Sequence, residues 1–317
     1  MKIVVLDGYA LNPGDNPWDA VASQGELEVY DRTPEPLIVE RAREAEIVLT
    51  NKTPLTAETL DRLDRLRFVS VLATGYDIVD LPAASRKGVL ISNVPVYGTD
   101  SVAQFVFALL LHFCHNVAGH DAAVRAGRWA ETGDFSFWIS PLSELTGKTM
   151  GVVGFGRIGQ TVGRIANCFG MRVLATDDYR EHPPEYHFEW ADLATLLEQS
   201  DVVSLHCPLT QDNAGMMNKA AFARMKPSAL LFNTARGPLV NEADLAEALN
   251  QGRIRGAACD VVSVEPMQPS NPLWRARNLL LTPHIAWATV EARRRLMQTT
   301  AENVAAFIAG KPKNVVK

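Results

Sequence analysis

Three polar residues close three apolar runs in the second half of the chain. Arg236 follows ALLFNTA, Glu265 stands in SVEP after GAACDVV, and His284 follows NLLLTP. In an open parallel sheet, ligands gather beyond the carboxyl ends of the strands, so these positions are candidates for chemistry. A guanidinium can fork onto a carboxylate and help polarise the adjacent carbonyl. An imidazole can pass a proton to an oxygen on which charge develops, and a carboxylate behind it steadies the imidazolium and fixes the ring. Together, cation, acid and imidazole suit reduction of a 2-oxo acid beside a nicotinamide. Singly, each has an ordinary reading: a capping arginine, a turn glutamate before proline, a histidine bonded to backbone.

The stretch VGFGRIGQTVGRIA would hold the hydride donor. Gly154, Gly156 and Gly159 stand in the G-x-G-x-x-G register, after an apolar strand and at the start of an apolar-periodic helix. Gly154 permits the tight turn, Gly156 lets backbone approach a pyrophosphate, and Gly159 allows close helix–strand packing. The helix start adds free N–H groups and a positive dipole end. Asp177 ends the next strand, MRVLATD, 18 residues after Gly159. That is close to the roughly 20-residue spacing of a ribose-binding acid. A carboxylate there accepts from ribose hydroxyls and repels a 2′-phosphate, which favours NAD(H) over NADP(H).

These residues need elements to position them. KIVVLD, AEIVLT, FVSVLAT and VLISNV read as strands, separated by helical EPLIVERAREA, TAETLDRLDRL and DLPAASRKG. Thr56 and Asp80 are expected N-caps, and Gly88 an expected stop. A second series follows: KTMGVVGFG, MRVLATD, DVVSLHC, ALLFNTA, GAACDVV and NLLLTPH. Strand–helix alternation in two series predicts an α/β chain with two parallel sheets, each covered on both faces. A long helix starting near Asp100, capped within TDSVAQ, joins them. The terminal helix in ATVEARRRLMQTTAENVAAFIAG is expected to return to the first domain and make it discontinuous.

Composition sets outer bounds. A chain of 317 residues favours two domains, and its 47% hydrophobic and 21% charged residues are ordinary for a globular protein. A net charge of −5 supplies no basic face for nucleic acid. The most apolar segment, FVFALLLHFCHNVAGH, is under about twenty residues and carries three histidines, so it reads as a buried helix rather than a membrane span. MKIVVLDGY reads as a strand and not as a signal peptide. Cys114, Cys168, Cys207 and Cys259 lie far apart with no C-x-x-C pair, as in a reducing cytoplasm.

At these residues the chain resembles the D-isomer-specific 2-hydroxyacid dehydrogenases, along essentially its whole length. GKTMGVVGFGRIGQ, NTARGPLVNEADLAEAL, DVVSVEP and LLLTPHIAWAT are similar to the family's successive signatures. The resemblance implies a Rossmann NAD-binding domain over residues 100–285. It also implies a flavodoxin-like substrate domain over residues 1–99 and 286–317, closing over the cofactor. Arg236, Glu265 and His284 become the catalytic trio, with His284 the proton donor. NAD contacts are implied at Gly154, Gly156, Arg157, Ile158, Gly159, Asp177, Cys207, Pro208, Asn213, Thr234, Ala235 and Asp260. VLATGYDIVD is similar to the substrate loop, which gives backbone N–H groups near Thr74 and Gly75 to the substrate carboxylate opposite Arg236.

Within the family, LATGYDIVD, NVPVYGTDSVAQ and TPHIAWATVEAR are most similar to the glycerate dehydrogenase (hydroxypyruvate reductase) branch. That implies NADH-dependent reduction of hydroxypyruvate and glyoxylate. Asp77 stands where Asn is expected in the loop; pointing inward it would oppose an anionic substrate, pointing outward it would not. The alternatives are a D-3-phosphoglycerate or D-lactate type of the same family, formate or phosphite oxidation, and a non-catalytic NADH-sensing protein. Glu265, where formate dehydrogenases carry Gln, argues for oxo-acid reduction.

His112, His115 and His120 are placed on one helix, where His112 and His115 share a face. No acid or cysteine completes a metal set there, so no metal is expected. His206 is a rival proton donor to His284 but falls on a strand near the adenosine half. Phe105, Phe107, Phe113, Trp129, Phe135, Phe137 and Trp138 crowd the helix and arm from about Asp100 to Ser140. A monomer would struggle to bury them, and a two-fold homodimer is expected.

Overall fold

The β-branched runs of the first half form β1 (Lys2–Val5), β2 (Glu26–Val29), β3 (Ile47–Thr50), β4 (Phe68–Val71) and β5 (Leu90–Ser92). In the computed structural model, which describes residues 1–316, all pair in parallel in the order β2-β1-β3-β4-β5. Sequence patterning misses β2. Its ELEV alternates glutamates with apolar residues and lies on a half-exposed sheet edge, where only pairing with β1 makes it a strand. By contact, Met1–Gly98 with Trp287–Lys317 is one compact unit and Thr99–Ala286 another.

In the first unit the expected caps are in place. Thr56 accepts the Thr59 N–H at 3.2 Å and Asp80 the Ala83 N–H at 2.9 Å, while Gly88 takes φ +71° after its helix. EPLIVERAREA is not one helix. Pro36 starts a 3-10 turn, Glu35–Leu37, and a short helix follows over Ile38–Ala42. The last helix, Val290–Ile308, is capped by Thr289 and sets Leu296, Met297, Ala301 and Val304 against Ile3, Val5, Ile47 and Phe68. Phe307 stacks on Phe68 at 4.5 Å. Arg293, only 7% exposed, forks onto the Asp15 carboxylate, with Nη2–Oδ2 at 2.6 Å. That side-chain bond holds Asp15 below the usual carboxylate range.

The second unit contains β6 (Thr149–Val153), β7 (Arg172–Thr176), β8 (Glu189–Trp190), β9 (Val202–Leu205), β10 (Leu230–Asn233), β11 (Gly256–Cys259) and β12 (Leu279–Leu281). Their order is β12-β11-β10-β9-β6-β7-β8, again all parallel. β8 has two residues and no sequence signal. Apolar clusters cover both faces of the sheet, which is why these strands read as unbroken apolar runs. The strand order reverses between β6 and β9, where a doubly wound sheet opens its ligand crevice.

The long helix differs from expectation in three ways. It spans Thr99–His115, so Asp100 lies in its first turn rather than before it. It then breaks at Asn116, which adopts φ +44°, a left-handed conformation asparagine tolerates better than most residues. His120 therefore belongs to a separate helix, Val117–Arg125, and not to that of His112 and His115. There His120 Nδ1 lies 2.9 Å from the Asn116 carbonyl and Nε2 accepts the Ile139 N–H at 3.1 Å. His112 and His115 are exposed in the single chain. Of the aromatics, Phe107 is buried, Phe105 and Phe113 are partly buried, and Trp129, Phe135 and Trp138 are exposed, Phe135 by 92%. Among the described residues no single helix is long and apolar enough to cross a membrane.

Candidate active site

The glycine loop shows why two of its residues must be glycine. Gly154 sits at φ +90°, and a Cβ there would lie 2.3 Å from the Cys207 amide nitrogen. A Cβ on Gly159 would lie 2.1 Å from the Gly154 carbonyl oxygen. β6, β9 and the helix Arg157–Cys168 thus meet backbone to backbone. Gly156 is different: a Cβ there would meet no protein atom within 4 Å. It caps the helix without any side-chain bond, so the first-turn N–H groups, including those of Arg157 and Ile158, receive no capping side chain. An anionic pyrophosphate fits that cradle.

Asp177 follows β7, and its carboxylate is held from both sides. Oδ1 accepts the Tyr179 N–H at 2.9 Å, and Oδ2 accepts the N–H of Phe155 inside the glycine loop. A carboxylate has about four acceptor sites, so capacity remains for ribose hydroxyls. Across the crevice, Cys207 and Pro208 follow β9. Burial raises the Cys207 thiol, and the charges of Asp177 and Asp178 add to the shift. Asn213 serves its own loop: Nδ2 donates to the Pro208 carbonyl and Oδ1 accepts the Thr210 N–H, both at 2.8 Å. Thr234 Oγ1 is buried with no hydrogen-bond partner, an orphan that a bound carboxamide or ribose group would satisfy. Together, the open cradle, the fixed Asp177 and this orphan fit a dinucleotide.

The trio lies on the other side of the switch. β10, β11 and β12 are adjacent and parallel, so their carboxyl ends emerge at one edge. Arg236 follows β10, with its carbonyl held by Asn233 Nδ2 at 2.9 Å. Its guanidinium is exposed and donates to the Ala235 carbonyl at 2.8 Å. A Cβ on Gly237 would fall 2.0 Å from the Val262 carbonyl carbon, so the Arg236 turn abuts the Glu265 loop. Glu265 Oε2 lies 2.7 Å from His284 Nδ1. His284 has φ +55°, a sparsely populated conformation that needs support.

Asp260 supplies it. This residue is 1% exposed, and its backbone carbonyl accepts the His284 N–H at 2.8 Å. Its carboxylate accepts the Thr282 hydroxyl at 2.6 Å and the N–H groups of Ile285 and Ala286 at 2.9 and 2.8 Å. The resemblance implies a cofactor contact for Asp260; in the structure its side chain holds the His284 turn. The signal for that role, an acid on a strand next to the strand before the histidine, appears only once β11 and β12 are paired.

His206 is not placed as a proton donor. Its Nε2 lies 2.8 Å from the buried Ser204 Oγ, and desolvation lowers its pKa to about 3, leaving the ring neutral. In the first unit, Thr74 is braced by bonds of its Oγ1 to the Val94 carbonyl and of Asn93 Nδ2 to its own carbonyl. Among the described residues neither the Thr74 nor the Gly75 N–H donates to protein. Asp77 is exposed, and Asp80 rather than Asp77 caps the next helix.

Known proteins share this architecture. Residues 107–286 match the family described as "D-isomer specific 2-hydroxyacid dehydrogenase, NAD binding domain". A hydroxypyruvate reductase of Blautia hydrogenotrophica is 48% identical over 100% of this chain and 99% of its own. A glycerate dehydrogenase of Methylorubrum extorquens is 41% identical over 100% and 99%. The structure of a D-lactate dehydrogenase from Aquifex aeolicus with NAD and lactic acid superposes with a TM-score of 0.83 at 28% identity, covering 98% of this chain and 96% of that one. With a matching NAD-binding domain and full-length relatives, the chain belongs to the D-isomer-specific 2-hydroxyacid dehydrogenase family.

Proposed function

We propose that the protein uses NADH to reduce hydroxypyruvate, and glyoxylate as a second substrate, reversibly to the D-2-hydroxy acid. The observation that carries this reading is the 2.7 Å contact between His284 Nδ1 and Glu265 Oε2 at the carboxyl end of the sheet. Nδ1 faces the acid, so the opposite nitrogen, Nε2, is the one able to address a substrate oxygen. NADH, when bound, supplies the hydride that the carbonyl carbon accepts. His284 gives its proton to the carbonyl oxygen as charge builds there, and Glu265 holds the ring in place through Nδ1. Arg236, exposed beside the Glu265 loop, takes the substrate carboxylate and withdraws charge from the adjacent carbonyl.

Gly154 and Gly159 let the loop pack backbone to backbone, Gly156 leaves room for the cofactor, Arg157 and Ile158 open the helix toward its pyrophosphate, and Asp177 takes the adenosine ribose. Cys207, Pro208, Thr234 and Ala235 line the same strand ends, with Asn213 bracing the Cys207–Pro208 turn. The names of the 48% and 41% identical relatives support hydroxypyruvate as the preferred substrate. The exposed Val117, Trp129, Phe135, Trp138 and Leu142 support a homodimer that covers this arm. Four unpaired cysteines support a cytoplasmic location.

Steady-state NADH oxidation with hydroxypyruvate, glyoxylate, pyruvate and phosphohydroxypyruvate tests the assignment. Hydroxypyruvate should give the highest kcat/KM. Preference for pyruvate or phosphohydroxypyruvate would move the substrate to the lactate or phosphoglycerate type, and no turnover would leave a nucleotide-sensing protein.

A further inference from the structure

We propose that Glu242 is a positioning residue for the Glu265–His284 pair. Glu242 is the first residue of the helix Glu242–Asn250, just after its cap Asn241. Its Oε1 accepts the Ser263 N–H at 2.7 Å and its Oε2 accepts from Asn271 Nδ2 at 2.8 Å. Ser263 and Asn271 bracket the loop that carries Glu265, so one carboxylate pins both ends of that loop. Asn271 is itself fixed, because its Oδ1 accepts the Leu273 N–H at 2.9 Å at the head of the turn Pro272–Arg275.

The start of the loop has a second restraint. Gly237, the residue after Arg236, packs its backbone against Val262 and Ser263 closely enough to exclude a Cβ. The segment from Arg236 to Glu242 therefore grips the start of the Glu265 loop twice, by glycine contact and by carboxylate. Glu242 also raises the Cys259 thiol, which burial chiefly pushes up to about 12, so its charge acts at the end of β11. Glu265 hangs from this frame with Oε1 accepting the Val262 N–H at 3.3 Å and Oε2 against His284. Losing the Glu242 bonds frees the loop to drift. A misplacement of about 1 Å in a catalytic constellation can cost on the order of a hundredfold.

This rests on the reading of Glu265 and His284 as the proton-donating pair, so H284Q is assayed alongside. E242A and E242Q are compared with the parent for kcat, KM, solvent isotope effect on kcat and NADH affinity by fluorescence titration. E242A should lower kcat about tenfold to a hundredfold, raise the solvent isotope effect, and leave NADH affinity within about twofold. E242Q keeps an accepting oxygen for Ser263 and should lie between E242A and the parent. A parent-like kcat in E242A overturns the proposal, as does loss of NADH binding in step with kcat. Should E242A fail to fold, E242Q decides: several-fold lower kcat supports the role and parent-like kcat overturns it. If H284Q itself turns over like the parent, the reading of the pair fails; if H284Q is inactive while E242A is normal, only the role of Glu242 falls.

Discussion

The backbone carbonyl of Asp260 accepts the His284 N–H at 2.8 Å. The Asp260 side chain then takes three further donors from residues 282–286. One buried residue thereby holds a histidine in a left-handed conformation just beyond the carboxyl end of β12. Asp260→Asn offers a single accepting oxygen, and its NH2 group must face an N–H donor. We expect a stability loss of about 1–3 kcal/mol, the cost of an unsatisfied buried polar group, and a clear drop in kcat. Denaturant unfolding with steady-state assay checks this; a variant equal to the parent in both would remove Asp260 from the support of His284.

Proton donation is the role assigned to His284 itself. General acid catalysis contributes roughly 10²–10⁴-fold, so His284→Gln should lose about that much turnover while NADH still binds. Single-turnover kinetics under saturating NADH measure the chemical step, and an unaltered rate there would refute the role.

Asp177 should govern the choice of cofactor. Each carboxylate hydrogen bond is worth roughly 1.5–3 kcal/mol, so Asp177→Ala should narrow the NADH-over-NADPH affinity ratio by about tenfold or more. NADH itself should also bind less tightly, because Phe155 in the glycine loop loses its acceptor. Titration of both dinucleotides decides the matter; an unchanged ratio means that another group sets the preference.

His206 predicts a pH dependence of stability. In the folded chain its imidazole is lowered to about 3 by burial, against 6.5 when free. Between those values the unfolded chain binds the extra proton, so stability falls as pH drops through that window, by at most about 1.4 kcal/mol per pH unit. His206→Gln can keep the Ser204 bond without titrating. Between about pH 7 and about pH 5 it should lose about 1–2 kcal/mol less than the parent. Parallel stability curves for the two proteins would show that His206 does not stay neutral.

Much of this was legible in the residues. Apolar runs such as IVLT and LLFN announced buried parallel strands because both faces of each sheet are covered. Thr56 and Asp80 announced caps because a short side chain with an acceptor oxygen is what a bare helix start needs. Less was legible where context outweighed composition. ELEV became a strand only by pairing with β1, and Asn116 broke a segment whose apolar residues read as one continuous helix.

What the sequence determined by itself was the kind of chemistry: a glycine loop with its acid, and a cation, a carboxylate and an imidazole after successive strands. Local spacing suffices there, since each feature lies within one strand and the turn that follows. What only tertiary structure decided was who holds whom. Glu265 meets His284 across 19 residues, Asp260 grips the His284 turn from the neighbouring strand, and Glu242 reaches Asn271 across 29. Such contacts depend on strand order and on where loops fold back, and a linear pattern does not encode the distance between residues that only a paired sheet brings together.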